Sequence, residues 1–324
     1  MKIKKIINYI ITYGIIKTVK KIYKRFYSYI INSNNKKSYY KYIDDQVLQL
    51  LYMKAHLFYL KRRYYKEEYS NFSYNPLVNF IKPVIWICWF QGLEKAPDIV
   101  KACFNSVKKH SNGLDIILIT EDNIKTYVNF PDHIYDKLNK GIISKTHFSD
   151  LLRLNLLINY GGIWLDATVF LSNDIPDFIN NSDLFFFKNS NVEASSFLPG
   201  SSWFISSKKN NPLLVKTYNI LLNYWEKENK LIHYYLFHIS LLLVIKYDNE
   251  ANKLWNKIHY MNNSNPHVLQ FTLFEEFNND LLNHIFNISF AHKLSYYFSN
   301  TDNDIELFNK KETFFKYILR INGI

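Results

Sequence analysis

The sequence predicts an α/β fold: a mixed, mainly parallel sheet flanked by helices, preceded by a basic helical segment. Three observations predict it. Short unbroken apolar runs, bounded by Pro or Gly, alternate with stretches of helical length; this is the pattern of strands buried on both faces. The 324 residues are 48% hydrophobic, enough to bury a sizeable core. They contain only 8 Gly and 8 Pro, too few for a linker-rich or disordered chain.

From the amino terminus, residues 1–44 carry Lys2, Lys4, Lys5, Lys17, Lys20, Lys21, Lys24, Arg25, Lys36, Lys37 and Lys41, with no acid before Asp44. Ile, Tyr and Phe lie between them, so the stretch is basic and amphipathic. Its longest apolar run, 6–16, contains Asn8, Thr12 and Gly14 and falls well short of the ~20 residues of a membrane span. No small-residue cleavage site follows it. Such a segment matches a helix lying in the interface of the cytoplasmic membrane, Lys toward anionic lipid; the plain alternative is a basic helix packed on the domain. The expected location is cytoplasmic, peripheral at the inner face of the cell membrane. The net charge of +12 also fits nucleic acid. No recognition motif supports that, and no nucleic-acid partner is expected.

Residues 45–69 read as helical, and 71–76 are turn-rich. The expected division is a basic segment 1–75, a main domain 76–300 and a tail 301–324. Within the domain, VIWICWF at 84–90 reads as a buried strand and 96–110 as a helix with Pro97 in its first turn. DIILIT at 115–120 is a second strand. Residues 121–138 read as short helices broken by Pro131, 149–160 as a helix ended by Gly161-Gly162, and 163–171 as one continuous third strand. Strands at 184–188 and 203–206 follow, with helices at 212–227, 231–246 and around 273–286.

Chemistry concentrates between Ser149 and Phe170. Asp150 and Arg153 are three apart and share a helix face. By spacing alone they are as well explained by a surface ion pair of little worth. Gly161-Gly162 permits a close backbone approach. Asp166 sits in the apolar run IWLDATVF, where a carboxylate is costly unless its charge is used. In one strand, Asp166 and Thr168 would point to the same side, with Ala167 leaving room. A carboxylate there suits a divalent cation or a ribose. The two cysteines, Cys88 and Cys103, match no metal or disulfide spacing and read as packing residues in a reducing compartment.

The order Ser149-Asp150-x-x-Arg153 and, seven residues on, Tyr160-Gly161-Gly162-Ile163-Trp164-Leu165-Asp166-x-Thr168 resembles the capsular polysaccharide synthesis family of glycosyltransferases. That family is similar to glycosyltransferase family 32 and, more distantly, to the large clostridial glucosylating toxins. IWICWFQG at 85–92, Ala96-Pro97, SWFISSKKNNP at 202–212, Tyr224-Trp225, Tyr234 to His238 and Asn265-Pro266-His267 extend the likeness over about 83–277. The resemblance implies a GT-A-like, Rossmann-like fold. It implies transfer of a hexose from a nucleoside-diphosphate sugar onto a saccharide or lipid-linked saccharide acceptor, building a bacterial capsular or cell-surface polysaccharide with retention at the anomeric carbon. Asp166, Arg153 and Asp150 would be the catalytic set. Asp150 would meet the donor's ribose or sugar and Arg153 its diphosphate or sugar. Trp89 and Gln91 would sit near the nucleobase. Asp166 matches the first carboxylate of the Asp-x-Asp motif, and Thr168 stands in the second place, a neutral and weaker ligand for a hard cation. Mn2+ or Mg2+ would be held by Asp166 and Thr168 with a third ligand, His267 or His238. The acceptor would approach from the side formed by 203–207 and the following helices. The alternative reading is a catalytically inactive sugar-binding homologue in polysaccharide assembly.

Overall fold

The computed structural model describes residues 53–66, 76–189, 198–298 and 311–324. The expected membrane-facing stretch 1–44 lies outside them. Residues 53–64 form a helix, α1, that buries Met53, Leu60 and Tyr64 in the main apolar core. The Tyr59 and Tyr64 hydroxyls both donate to Glu228, at 2.7 and 2.5 Å, which ties α1 to the end of a distant helix.

The central sheet has the order β2-β1-β3-β6-β5. Its strands are β1 (Val84–Cys88), β2 (Asp115–Ile119), β3 (Gly162–Asp166), β5 (Leu184–Lys188) and β6 (Gly200–Ser207). β1 pairs in parallel with β2 and with β3. β6 runs antiparallel to both β3 and β5, so β5 points the same way as β1, β2 and β3. The sheet is therefore mixed and mainly parallel, as the alternation of runs predicts. Helix α2 (Asp98–Lys109) follows β1, and α3 (Asp132–Asn139) follows the Pro131 break.

Helix α4 (Lys145–Tyr160) begins a turn earlier than the apolar period suggests, because Ser144 caps it by accepting from the His147 N–H. It lies between the sheet and α5 (Pro212–Lys227). Its polar residues are paired in place: Asn155 donates to the Tyr218 hydroxyl at 3.0 Å, and Asn159 to Asn155 at 2.8 Å. Gly161 ends the helix and Gly162 opens β3 with φ at 93°. A Cβ at Gly162 would stand 2.2 Å from the Val84 carbonyl oxygen, so only glycine lets β3 lie against β1 here.

Two expected elements are corrected. Residues 163–171 are not one strand: β3 stops at Asp166, the chain turns at Ala167-Thr168, and β4 (Val169–Leu171) leaves to pair with β7 (Ala291–Lys293) in a separate two-stranded sheet. Thr168 is thus a turn residue, and strand alternation does not set its direction. The helix expected at 231–246 begins only at Leu236, as α6 (Leu236–Tyr247), after a turn at 231–235. Helices α7 (Asn249–Lys257) and α8 (Asn279–Ile288) follow. The terminal helix α9 (Phe314–Ile321) seals Phe314 and Ile318 against Ile99 and Cys103 of α2 in a second apolar cluster. Among the described residues no helix is long and apolar enough to cross a membrane.

Candidate active site

The site lies where β1 and β3 end side by side, with Cys88 in register with Asp166. Carboxyl ends of parallel strands are where ligands bind in open α/β sheets. A cavity of about 320 Å³ opens there, within the size range of ligand pockets. Its walls come from the end of β1 and the segment after it (Cys88 to Gln91), the first turns of α4 (Lys145, Thr146, Ser149, Arg153), the end of β3 with its turn (Trp164, Asp166 to Thr168), and Lys293 at the end of β7 with Tyr296 beyond it.

Arg153 is the centre. It is 4% exposed, on a helix that could have kept it in water. Burying a guanidinium is tolerable only when its hydrogens are used. Its Nη1 bonds Asp150, three residues before it. Its Nη2 donates to Asp166 Oδ1 at 3.2 Å and to Ser149 Oγ at 3.3 Å. The Trp164 and Phe237 rings face the guanidinium, 5.2 and 5.8 Å from Cζ, and fix its plane. Its Nε is buried without a partner among the described residues, as is the indole Nε1 of Trp89. Both residues line the pocket.

The two carboxyls are driven apart. Burial pushes Asp150 up to about 6 against the pull of Arg153. Burial also raises Asp166, but Lys293 and Arg153 outweigh it and hold that carboxyl below its ordinary value, helped by the Trp164 indole donating to Oδ1 at 3.0 Å. Burial pushes the Cys88 thiol up to about 12, which removes it as a nucleophile at neutral pH.

Asp150, Arg153, Asp166, Thr168, Trp89 and Gln91, all anticipated from sequence, converge here. All but Asp150 line the pocket, and Asp150 reaches it through Arg153. The proposed third ligands do not line it. The His267 ring packs edge-on against Trp203. Burial, with Arg153 adding to it, pushes His238 down to about 3 and keeps it neutral. Residues 203–207 are the buried carboxyl-terminal part of β6, so of the expected acceptor side only the following helices offer exposed surface. Tyr296, 53% exposed, lines the pocket, and Tyr234, 63% exposed, lies near enough to Asp150, Asp166 and Arg153 to feel their charges.

The residues do not fit a divalent cation. Among the described residues no group of three or more His, Cys, Asp or Glu could hold one. Asp166 offers one carboxylate whose two oxygens already meet Arg153, Trp164 and Lys293. Thr168 Oγ1 accepts from Lys293 Nζ at 2.5 Å. Lys293 escapes sequence reasoning altogether, and Trp164 and Phe237 fall in family-like stretches without being assigned a part in the site. Lys293 joins Thr168 across 125 positions and belongs to no motif.

The model of the family described as capsular polysaccharide synthesis protein matches residues 45–318. An O-glycosyltransferase, braB, of Annulohypoxylon truncatum is 28% identical over 161 residues, 44% of this chain and 37% of that protein. The chain thus spans little more than a third of that relative's length. Among solved structures, the PaToxG glycosyltransferase aligns with a TM-score of 0.35 at 15% identity, over 87% of this chain and 97% of that one. The glycosyltransferase GlyE of Streptococcus pneumoniae TIGR4 aligns with a TM-score of 0.36 at 12% identity, over 74% and 62%.

Proposed function

The chain belongs to the capsular polysaccharide synthesis protein family, and from that premise we propose that it is a glycosyltransferase moving a sugar from a nucleoside-diphosphate sugar onto a growing capsular or cell-surface polysaccharide. The observation that carries the reading is the buried Arg153, clamped by Asp150 and Asp166 at the pocket floor with its Nε unpaired. A guanidinium held in place by two carboxylates carries a fixed positive charge at the pocket, which suits a diphosphate oxygen. Donor groups preorganised where charge develops are what a departing diphosphate needs. In the reaction the bond from the anomeric carbon to the diphosphate oxygen breaks, its electron pair leaving with the nucleotide. The acceptor oxygen bonds to the same carbon, and the acceptor's hydroxyl proton ends on the departing diphosphate. Retention of configuration is the outcome expected from the resemblance. Trp89 offers an aromatic edge and an indole donor to the nucleotide.

The acceptor is placed at the mouth, where Tyr234, 63% exposed, and Tyr296, 53% exposed, give apolar faces to a saccharide. A lipid-linked acceptor fits the basic stretch 1–44, which would hold the enzyme at an anionic membrane face.

The test is a thermal-shift screen of nucleotide sugars followed by a nucleotide-release assay with and without saccharide acceptors. One nucleotide class should raise the melting temperature, and release should be accelerated by acceptor. Binding without release in any combination would instead make the chain a sugar-nucleotide-binding homologue.

A further inference from the structure

The Asp166-x-Thr168 pair is the place where the sequence resemblance puts a divalent cation. There the structure holds a lysine. Lys293 Nζ lies 2.5 Å from Thr168 Oγ1 and 3.3 Å from Asp166 Oδ2, bridging the two residues expected to share a metal. The side chain is 23% exposed, enclosed but open to the pocket it lines.

Its position is built into the fold. Lys293 ends β7 and pairs across the ladder with Val169, the residue after Thr168. The backbone is fastened on both sides. Before it, His292 is wholly buried, with Nε2 3.0 Å from Ser172 Oγ. After it, the Leu294 N–H donates to the Thr168 carbonyl at 2.9 Å. The break that sends residues 169–171 away from the central sheet is what brings Lys293 to the carboxylate.

We propose that the Lys293 ammonium takes the place of the divalent cation in this site, so that the diphosphate of the donor is bound and partly neutralised by Lys293 and Arg153 without metal. The proposal rests on the glycosyltransferase reading and deepens it. An ammonium has three donors. Two meet Asp166 and Thr168, leaving the third for a phosphate oxygen. The pocket walls carry Lys145, Arg153 and Lys293 against the single carboxylate of Asp166. With Lys145 paired to Glu121, Arg153 and Lys293 exceed the Asp166 carboxylate by one positive charge, which offsets part of the two negative charges of an esterified diphosphate. Lys145 is exposed and also pairs with Glu121 at 2.5 Å, so Arg153 and Lys293 are the cations committed to the pocket. A divalent ion entering between Asp166 and Thr168 would have to expel one protein cation and sit beside another, with one carboxylate to compensate it.

The experiment is calorimetric titration of the full chain with inorganic pyrophosphate and with UDP and GDP, in EDTA and again with Mn2+ or Mg2+. Wild type should bind at least one probe in EDTA within about threefold of its affinity with metal. Lys293→Met keeps the aliphatic stem and loses the charge; it should weaken that binding roughly tenfold or more in EDTA, as loss of a charged hydrogen bond does. Lys293→Arg should retain most of it, and circular dichroism should show both variants folded. Wild-type binding that disappears in EDTA and returns with metal would overturn the role of Lys293 and leave the transferase reading standing. Unchanged affinity in Lys293→Met would do the same. Absence of binding by wild type to every probe, with or without metal, would overturn both.

Discussion

Asp150 and Asp166 share one guanidinium, and their environments give them different work. Asp166 stays ionised because Lys293 and Arg153 overcome its burial. Replacing it with Asn would release both cations from their common anchor. Asp166→Asn should lower transfer at least about a hundredfold, the scale of losing a preorganised electrostatic contact, with far-UV circular dichroism unchanged. Wild-type rates in that variant would remove Asp166 from the site. Asp150 is the opposite case. Its carboxyl is raised from 3.8 to about 6, first by burial. The folded state therefore holds an extra proton between those values, and stability falls as pH rises through that window. Asp150→Asn removes the deficit. Between pH 4 and pH 7 its stability relative to wild type should improve by on the order of 2 kcal/mol, followed by chemical denaturation at each pH. A pH-independent difference would contradict the assignment. Arg153 and both carboxylates were legible in the sequence because they fall within seventeen consecutive residues around a double glycine. Lys293, Trp164 and Phe237 were not legible as site residues. A lysine at a strand end and aromatics in apolar runs look the same in sequence whether they serve the core or a ligand.

At the scale of elements, the site depends on four strand and helix ends, those of β1, β3, β7 and α4, meeting within one cavity. Gly162 governs that meeting. Its φ of 93° and the 2.2 Å approach of an added Cβ to the Val84 carbonyl leave a side chain no room. Gly162→Ala should cost about 3 kcal/mol or more, since backbone rather than a flexible side chain must yield. Gly113→Ala, at φ 73° with open space around it, should cost only about 1 kcal/mol. Thermal denaturation of the two variants compares the effects directly, and equal losses would show that the β1–β3 contact is not the constraint. Most helices and strands could be read from apolar period and breakers, to within a turn at their ends. The break after Asp166 could not. IWLDATVF is apolar almost throughout, and nothing local says that Leu165 pairs with β6 while Val169 pairs with β7, more than a hundred residues on. The strand was expected to continue because pairing partners are a tertiary property.

For the molecule as a whole, the charge is distributed unevenly, and that bears on where the reaction takes place. Eleven basic residues precede the first acid at Asp44, nearly the whole of the +12 surplus, so the remainder of the chain is close to balanced. Were the acceptor carried on lipid, as proposed, it would stay at a membrane, and an enzyme serving it would gain by residing there. Lys and Arg near an anionic surface contribute about 1 kcal/mol each, an attraction that salt screens over roughly 8 to 10 Å. Ile, Tyr and Phe interleaved among them would add apolar contact with lipid that salt does not weaken. Two consequences follow and can be separated. Flotation with vesicles containing anionic lipid should retain the full chain at low salt and lose part of it at high salt, while neutral vesicles retain much less. Deleting residues 1–32 should abolish retention on both. The residues proposed as catalytic all lie beyond position 149, and the match to the family begins at residue 45, so the truncated chain should keep its rate on a soluble saccharide acceptor. Its rate on a vesicle-embedded acceptor should fall, because only the local concentration of enzyme has changed. Retention that survives the deletion would assign membrane contact to another surface. Equal loss on soluble and embedded acceptors would show that the segment supports the fold instead of its address.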